Sequence, residues 1–309
     1  MSRILVTGGA GFIGSNLTRK LLEDSNRVRV LDNFSTGKRE NLNDMIDKIE
    51  LIEGDIRSYH TVMKALDKID YVFHEAALPS VPRSIYDPIT SNDVNVVGTL
   101  NLLQCSKDMG VKKFIFASSS SVYGDNPELP KRETMKPMPK SPYALTKLAG
   151  EHYCSIFYKI YNMPTVALRY FNVFGPHQDP TSQYSAFIPR IFKAVKENGR
   201  ITVFGDGEQT RDFTYVENVV EANILSLSAK ENAYGEYFNV ATGKSISVNE
   251  IIKFVFEASG KSATVEYAPI RPGDVRDSLA DISKISESLS YKVSTYVRDG
   301  LKKAMDFYI

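Results

Sequence analysis

Tyr143 and Lys147 stand four residues apart in Ser141-Pro142-Tyr143-Ala144-Leu145-Thr146-Lys147, a YxxxK pattern. On a helix that spacing sets a phenol and an ammonium on one face. Alone, the pattern is more often a surface pair. It gains weight from Ala117-Ser118-Ser119-Ser120-Ser121-Val122-Tyr123-Gly124, about 20 residues earlier. Those hydroxyls follow an apolar run that reads as a strand. In an open α/β sheet, ligands bind at the carboxyl edge of the strands. Phenol, ammonium and hydroxyl are all groups that hold or transfer protons.

A second pattern is a phosphate cradle. Val6-Thr7-Gly8-Gly9-Ala10-Gly11-Phe12-Ile13-Gly14 follows a strand-like run and opens a helix-like one. Gly9, Gly11 and Gly14 fit GxGxxG, and Gly8, Gly11 and Gly14 fit the wider GxxGxxG. A pyrophosphate must lie against backbone N–H groups at a helix N-terminus, where a Cβ would hold it off. Asp32 ends the next strand, 18 residues after Gly14. A carboxylate there accepts hydrogen bonds from both adenosine ribose hydroxyls and repels a 2′-phosphate. Asn33-Phe34-Ser35-Thr36-Gly37 follows it, with Lys38 and Arg39 just beyond. The expected cofactor is NAD, in preference to NADP.

The elements around these patterns alternate. Arg3–Thr7, Arg27–Asp32, Ile49–Asp55, Tyr71–His74, Lys112–Ser118 and Thr165–Arg169 read as strands. Phe12–Asp24, Thr61–Asp67, Asn92–Gly110 and Pro142–Tyr161 read as helices. Runs such as Ile-Leu-Val and Tyr-Val-Phe lack polar alternation, which favours strands buried on both faces. The fold class is therefore α/β, a doubly wound parallel sheet of Rossmann type. The second half is broken by Gly205-Asp206-Gly207, Pro269 and Pro272-Gly273 and reads as a smaller mixed α/β lobe. The expected division is 1–172 with 212–243 for the dinucleotide and 173–211 with 244–309 for the substrate.

Composition excludes several classes. In 309 residues, Lys plus Arg is 38 and Asp plus Glu is 37, a net charge of +1. A nucleic-acid binder working through a global basic surface is not expected. No run approaches the roughly 20 apolar residues of a membrane span. Met1-Ser2-Arg3 leads straight into a strand, so no signal peptide is expected and the protein reads as cytoplasmic. Two cysteines make no disulfide framework, and four scattered histidines show no zinc spacing, so no metal is expected.

Taken in order, TGGAGFIG (7–14), DNFSTG (32–37), GDIR (54–57), HEAALPSVPRS (74–84), NVVGTLNLL (95–103), SSSSVYG (118–124), SPYALTKLAGE (141–151), LRYFNVFGP (168–176), GDGEQTRDFTYVENV (205–219) and RPGDVRDSLADISK (271–284) resemble the extended short-chain dehydrogenase/reductases. Within them the chain is most similar to nucleotide-sugar epimerases, in particular those acting on UDP-N-acetylglucosamine. The resemblance implies that Tyr143 is the acid/base, that Lys147 holds the nicotinamide ribose and lowers the phenol, and that Ser119 relays the sugar hydroxyl's proton. One positive charge about 4–5 Å away would lower the phenol by roughly 2–3 pH units at an effective dielectric of about 20. Ser120 would contact the sugar. The serine run lacks the carboxylates found there in related dehydratases and decarboxylases. That leaves 4-epimerisation of a UDP-hexose, with UDP-glucuronate epimerases and a net oxidoreductase as alternatives.

The same resemblance implies the remaining site residues. Gly8, Gly11, Phe12 and Ile13 would border the pyrophosphate. Asp32, Asn33, Ser35, Thr36 and Gly37 would surround the adenosine ribose, and Asp55 and Ile56 the adenine. Ala76 and Ala77 would line the pyrophosphate side, Asn95 would support the ribose or the strand edge, and Tyr170 and Phe171 would lie by the nicotinamide. Arg211 and Arg271 would hold the diphosphate with Asn172, while Asp274 would hold the uridine ribose and Val203 the uracil. Ser80 and Gln178 would touch the sugar, and Ser278 would leave space for an acetamido group at carbon 2. Pro79 stands where some glucose-type epimerases carry a lysine. A homodimer is implied through helices near 92–110 and 143–162, with Val96, Leu100, Leu103, Ile156 and Ile160 on the shared face.

Overall fold

The computed structural model describes residues 1–180, 187–270 and 276–309. Seven strands make the central sheet: β1 (Arg3–Thr7), β2 (Arg27–Asp32), β3 (Ile49–Glu53), β4 (Tyr71–His74), β5 (Lys113–Ser119), β6 (Thr165–Tyr170) and, after four short strands, a late seventh. The short strands are β7 (Val173–Phe174), β8 (Arg200–Phe204), β9 (Thr210–Arg211) and β10 (Thr214–Tyr215). The late one is β11 (Glu236–Val240). The order across the sheet is β3-β2-β1-β4-β5-β6-β11, and every pairing is parallel. Six strands match the expected segments within two residues at either end. The seventh, in the half that reads as irregular, is added to the sheet beside β6.

The apolar runs are buried on both faces because alternate side chains point opposite ways. Ile4 and Val6 join one core with Leu17, Leu21, Val219 and Ala222. Leu5 joins the other with Val62, Leu66, Leu102 and Phe157. In β5, Ile115 and Ala117 face the first core, and Phe114 and Phe116 the second. Helix α1 (Phe12–Glu23) therefore covers one face. On the other lie α2 (Tyr59–Leu66), α5 (Gly98–Asp108) and α6 (Pro142–Tyr161). Between α2 and α5 come the short helices α3 (Val81–Tyr86) and α4 (Pro88–Asn92). A π-helical turn, Asp93–Val97, then joins α4 to α5 where one long helix is expected.

Helix α7 (Phe187–Glu197) precedes β8, and α8 (Val216–Leu227) lies beside α1. Small pairings build the rest. β7 pairs with β10. β9 pairs antiparallel with β12 (Ile246–Ser247), which opens α9 (Val248–Ser259). β8 pairs with β13 (Thr264–Ala268). Helices α10 (Ser283–Leu289) and α11 (Val297–Tyr308) complete the chain. The strand order reverses between β1 and β4, so a crevice opens at their carboxyl ends, where such sheets bind ligands. Among the described residues no helix is long and apolar enough to cross a membrane. None of their His, Cys, Asp and Glu side chains gather in threes as a metal site would need.

Candidate active site

Close packing at the end of β1 explains its glycines. Gly8 adopts φ +70°, and a Cβ there would meet the Ala76 backbone at 2.7 Å. A Cβ on Gly14 would meet the Gly8 carbonyl oxygen at 2.2 Å. Gly9 packs instead against Val30, 2.7 Å from where its Cβ would lie. At Gly11, which caps α1 without a side-chain hydrogen bond, the nearest atom to a Cβ is the Gly8 oxygen at 3.1 Å. The start of α1, with Phe12 and Ile13 half-buried in its first turn, is thus left to a phosphate.

Asp32 closes β2 beside this loop. Its carboxylate accepts from the Ala10 N–H at 2.9 Å and the Phe34 N–H at 2.8 Å. Each oxygen keeps a lone pair for a ribose hydroxyl. Gly37 passes close by, where a Cβ would lie 3.0 Å from Asp32 Oδ1. Asn33 accepts from the Ser35 N–H at 3.0 Å and donates to Asp55 at 3.0 Å. Arg57 forks onto Asp55, and that pairing holds its carboxyl down to about 2. Asp55 therefore fixes the Asn33 turn, while Ile56 beside it is buried against Gly98. Ser35 and Thr36 are exposed at the rim. Lys38 pairs with Asp179 at 3.0 Å, and Arg39 pairs with Glu53 and stacks on Phe34. The two nearest basic residues are thus committed to carboxylates, and a 2′-phosphate would meet Asp32. These residues fit NAD, which Gly8, Gly11, Asp32 and Gly37 would hold.

Beneath the loop runs a buried polar chain. The Thr99 hydroxyl donates to the Asn95 carbonyl at 2.7 Å, so its oxygen accepts from His74 Nε2–H at 2.8 Å. His74 Nδ1 then accepts from the Thr7 hydroxyl at 2.8 Å, and Thr7 accepts from the Ala76 N–H at 3.3 Å. That order sets the tautomer. Burial drives His74 down to about 3, so it stays neutral. Asn95 lies in the π-helical turn. It accepts from the Leu78 N–H at 2.8 Å and donates to Thr146 at 3.1 Å. Its side chain thus ties Leu78, just after β4, to α6. Ala76 and Ala77 are half-buried small residues at that edge.

Helix α6 presents the YxxxK pair. Ser141 caps it, accepting from the Ala144 N–H at 3.1 Å, and Pro142 fills the first position, where no N–H is needed. The Tyr143 N–H donates to the Ser84 hydroxyl at 3.0 Å. Lys147 is buried and donates to the Ala117 carbonyl at 2.8 Å. Burial pulls it down to about 8, against the opposing charge of Glu75. Ser119 ends β5 and caps the turn Ser120–Tyr123, accepting from the Ser121 N–H at 3.2 Å. Burial pushes Tyr143 up, Ser119 draws it down, and the charge of Glu75 raises it again.

Under the serine turn, Ser118 donates to Glu151 at 2.5 Å, and Glu151 takes a two-pronged bond from Arg169 at 2.8 and 2.7 Å. Arg169 is fully buried and lies over the Tyr123 and Tyr237 rings. Tyr123 donates to Asn239 at 2.7 Å, and its phenol is pushed up to about 12 by burial. Phe171 is fully buried with Val122, Tyr123 and Ala241 under the turn. Tyr170 does stand at the edge, donating to Glu75 at 2.8 Å and accepting from Asn223 at 2.8 Å.

Beyond the sheet edge lies a cleft of about 290 Å³ lined by Asn172, Val203, Arg211 and Phe213, among others. Asn172 adopts φ +35°, a region asparagine tolerates, and donates to the Asp212 carbonyl at 3.0 Å. Asp212 is buried and accepts from Thr242, Gly243 and Ala280, which fixes the segment carrying Arg211. Arg211 donates to the Thr210 and Arg276 carbonyls at 2.8 and 2.6 Å. Ser278 is half-buried beside it, its N–H on the Thr210 carbonyl at 3.1 Å. Gln178 donates to the Val173 carbonyl, and its own Oε1 has no partner among the described residues. The Ser80 hydroxyl caps α3 by accepting from the Arg83 N–H at 3.2 Å, which leaves its proton to a ligand. Ser120 is half-buried on the turn. Arg271 and Asp274 lie outside the described residues.

Four residues of the site escape a reading by motif. Arg190 of α7 and Gln209 line the cleft, and Gln209 Oε1 has no partner among the described residues. Ser84 holds Tyr143, and Glu75 faces Tyr170. Glu75 carried a signal, since a carboxylate directly after an apolar strand at a ligand edge is costly to place without a reason.

Residues 4–241 match the model of the NAD dependent epimerase/dehydratase family. The chain is 38% identical over 311 residues to a UDP-glucose 4-epimerase of Mycolicibacterium smegmatis, spanning 99% of this chain and 98% of the relative. It superposes with a TM-score of 0.94 at 40% identity on a UDP-N-acetylglucosamine 4-epimerase from Methanobrevibacter ruminantium M1 in complex with UDP-N-acetylmuramic acid, covering 99% and 97% of the two chains. A UDP-glucuronic acid 4-epimerase from Bacillus cereus, in complex with UDP-glucuronic acid and NAD, superposes at 0.90 and 37% identity over 99% and 98%. Matched by that family model over most of its length and by such proteins over nearly all of it, the chain belongs to the NAD dependent epimerase/dehydratase family.

Proposed function

We propose that this protein is an NAD-dependent UDP-hexose 4-epimerase. Its expected substrates are UDP-N-acetylglucosamine and UDP-N-acetylgalactosamine, with UDP-glucose and UDP-galactose also turned over. The observation that carries this reading is the Tyr143–Lys147 pair opening α6 against a turn of serines without a carboxylate. Oxidation at carbon 4 and its reversal need one proton carrier and one hydride carrier. Elimination of water or loss of carbon dioxide would need groups that Ser119, Ser120 and Ser121 do not supply.

When bound, NAD supplies the reversible acceptance of a hydride from carbon 4, and its positive nicotinamide favours an ionised phenol nearby. Tyr143 takes the proton of the sugar 4-hydroxyl through Ser119 and later returns it. Lys147, pinned on Ala117 O, offers an ammonium to the nicotinamide ribose. Arg211, Arg271 and Asn172 hold the diphosphate while the 4-keto sugar turns over between them and Tyr143. A guanidinium fork suits phosphate oxygens. The uridine lies along Val203, with Asp274 on its ribose. Ser80, Ser120, Gln178 and Ser278 surround the sugar. In this division of labour, 1–172 with 212–243 carries NAD, and 173–211 with 244–309 carries the nucleotide sugar.

The working form is a homodimer. Leu145, Ile156 and Ile160 are exposed in one stripe of α6, and Val97 is exposed beside them. Leu103 does not belong to that face, because it is fully buried against the sheet.

Purified protein incubated separately with UDP-N-acetylglucosamine, UDP-glucose and UDP-glucuronate, followed by NMR, tests the reading. The expected products are the 4-epimers of the first two, with NAD returned to its oxidised form. Turnover of the glucuronate alone would move the assignment to that sugar. Stoichiometric NADH would make the protein a net oxidoreductase.

A further inference from the structure

Glu75 has no part in the chemistry above, yet it stands among the groups that do. It follows β4 at the carboxyl edge, and its carboxylate accepts the Tyr170 hydroxyl at 2.8 Å. Tyr170 ends β6. Between β4 and β6 lies β5, whose Ala117 carbonyl holds the Lys147 ammonium. The Glu75–Tyr170 bond thus spans the strand end on which Lys147 is docked. Asn223 donates to the same Tyr170 oxygen, so the tyrosine is fixed from both sides.

We propose that Glu75 is a positioning residue of the active site, the counter-charge that keeps the buried Lys147 ammonium protonated on the alkaline side of neutrality. An ammonium out of water loses its proton easily unless an anion faces it. Lys147 faces four others. Glu151 and Cys154 are on its own helix, with Glu151 spent on Arg169 and Ser118, and His74 is held neutral at the end of β4. Tyr143 is the fourth. Glu75 is the carboxylate left to it. The charges agree in direction: Glu75 raises Lys147, Lys147 lowers Glu75, and burial lifts Glu75 to about 7. The inference rests on the epimerase reading only for the consequence in catalysis.

The test is Glu75→Gln, which keeps an acceptor for Tyr170 and removes the charge. In the NAD-loaded protein with 13C-labelled lysine, the Lys147 signal is assigned by its loss in Lys147→Met. Wild type should titrate below the ordinary lysine range. The variant should titrate lower by about one pH unit, and Glu75→Asp should restore most of the difference. Equal titration in wild type and Glu75→Gln overturns the proposal. If Glu75→Gln does not fold, Tyr170→Phe, which frees the carboxylate, must also lower the Lys147 titration, and no movement overturns the proposal as well. A pH profile of UDP-sugar turnover should lose its basic limb earlier by the same amount. Should wild type turn over no UDP-sugar, the functional reading fails while the lysine titration still decides the role of Glu75.

Discussion

The Ser84 hydroxyl accepts a hydrogen bond from the backbone N–H of Tyr143 at 3.0 Å, joining residues 59 positions apart. Ser84 also donates to the Val81 carbonyl and is fully buried. The orphan donors that begin α6 are thereby matched: Pro142 has none, Tyr143 meets Ser84, and Ala144 meets Ser141. Tyr143, the proposed acid/base, is thus held by its main chain.

Ser84→Ala should therefore strand a buried donor. The expected loss of stability is about 1–3 kcal/mol. Turnover number should fall more than KM changes, because Tyr143 drifts while the nucleotide site is untouched. Denaturant unfolding and steady-state kinetics measure both, and an unaltered kcat would show that Ser84 does not position Tyr143.

Tyr143→Phe should retain NAD and the fold while losing turnover by roughly 10²–10⁴-fold, the usual worth of a positioned acid/base. Cofactor content after gel filtration and a product assay give the two numbers. Turnover near that of wild type would remove the phenol from the mechanism.

Ser278→Tyr should suppress UDP-N-acetylglucosamine far more than UDP-glucose. Ser278 is anchored to Thr210 beside Arg211, so a ring added there meets a packed wall. The keto sugar must fit in two orientations, which makes space more limiting than in a single pose. The ratio of kcat/KM for the two sugars is the readout, and an unchanged ratio would clear Ser278 of any role as a gate.

Ile160→Glu should shift the protein toward monomers, since Ile160 is 66% exposed on the α6 stripe with Leu145 at 58%. A charge there cannot be covered without desolvation. Sedimentation at micromolar concentration reads the mass, and a wild-type protein already monomeric would dismiss the dimer.

Stability should vary little between pH 7 and 5 in wild type and fall more steeply in Glu75→Gln. Unfolded, His74 takes a proton near pH ~6.5, whereas burial holds it to about 3 in the fold. The unfolded chain then binds the extra proton, and stability falls as pH drops. Glu75 opposes this. Its carboxyl is raised to about 7, so in that range the folded chain binds the proton and gains stability on acidification. Removing Glu75 leaves His74 unopposed, and melting temperatures from pH 7 to 5 would show it. Parallel curves for the two proteins would contradict the assignment.

The glycine loop, Asp32 and the YxxxK spacing were legible in the amino-acid order because each acts over a few neighbouring residues. A helix start, a strand end and one turn of α6 are local structures. The six early strands were legible for a similar reason, since burial on both faces leaves continuous apolar runs such as those of β1 and β5. Other features needed the folded chain. β11 joins the sheet only through pairing with β6, and nothing in Glu236–Val240 alone announces it. The long helix expected over 92–110 is interrupted by a π-turn that lets Asn95 reach Leu78 and Thr146. Ser84 meets Tyr143, Glu75 meets Tyr170, and Phe171 turns into the core beneath the serines. Each of these depends on which strand lies beside which, and pairing between distant segments leaves no period or spacing in the chain.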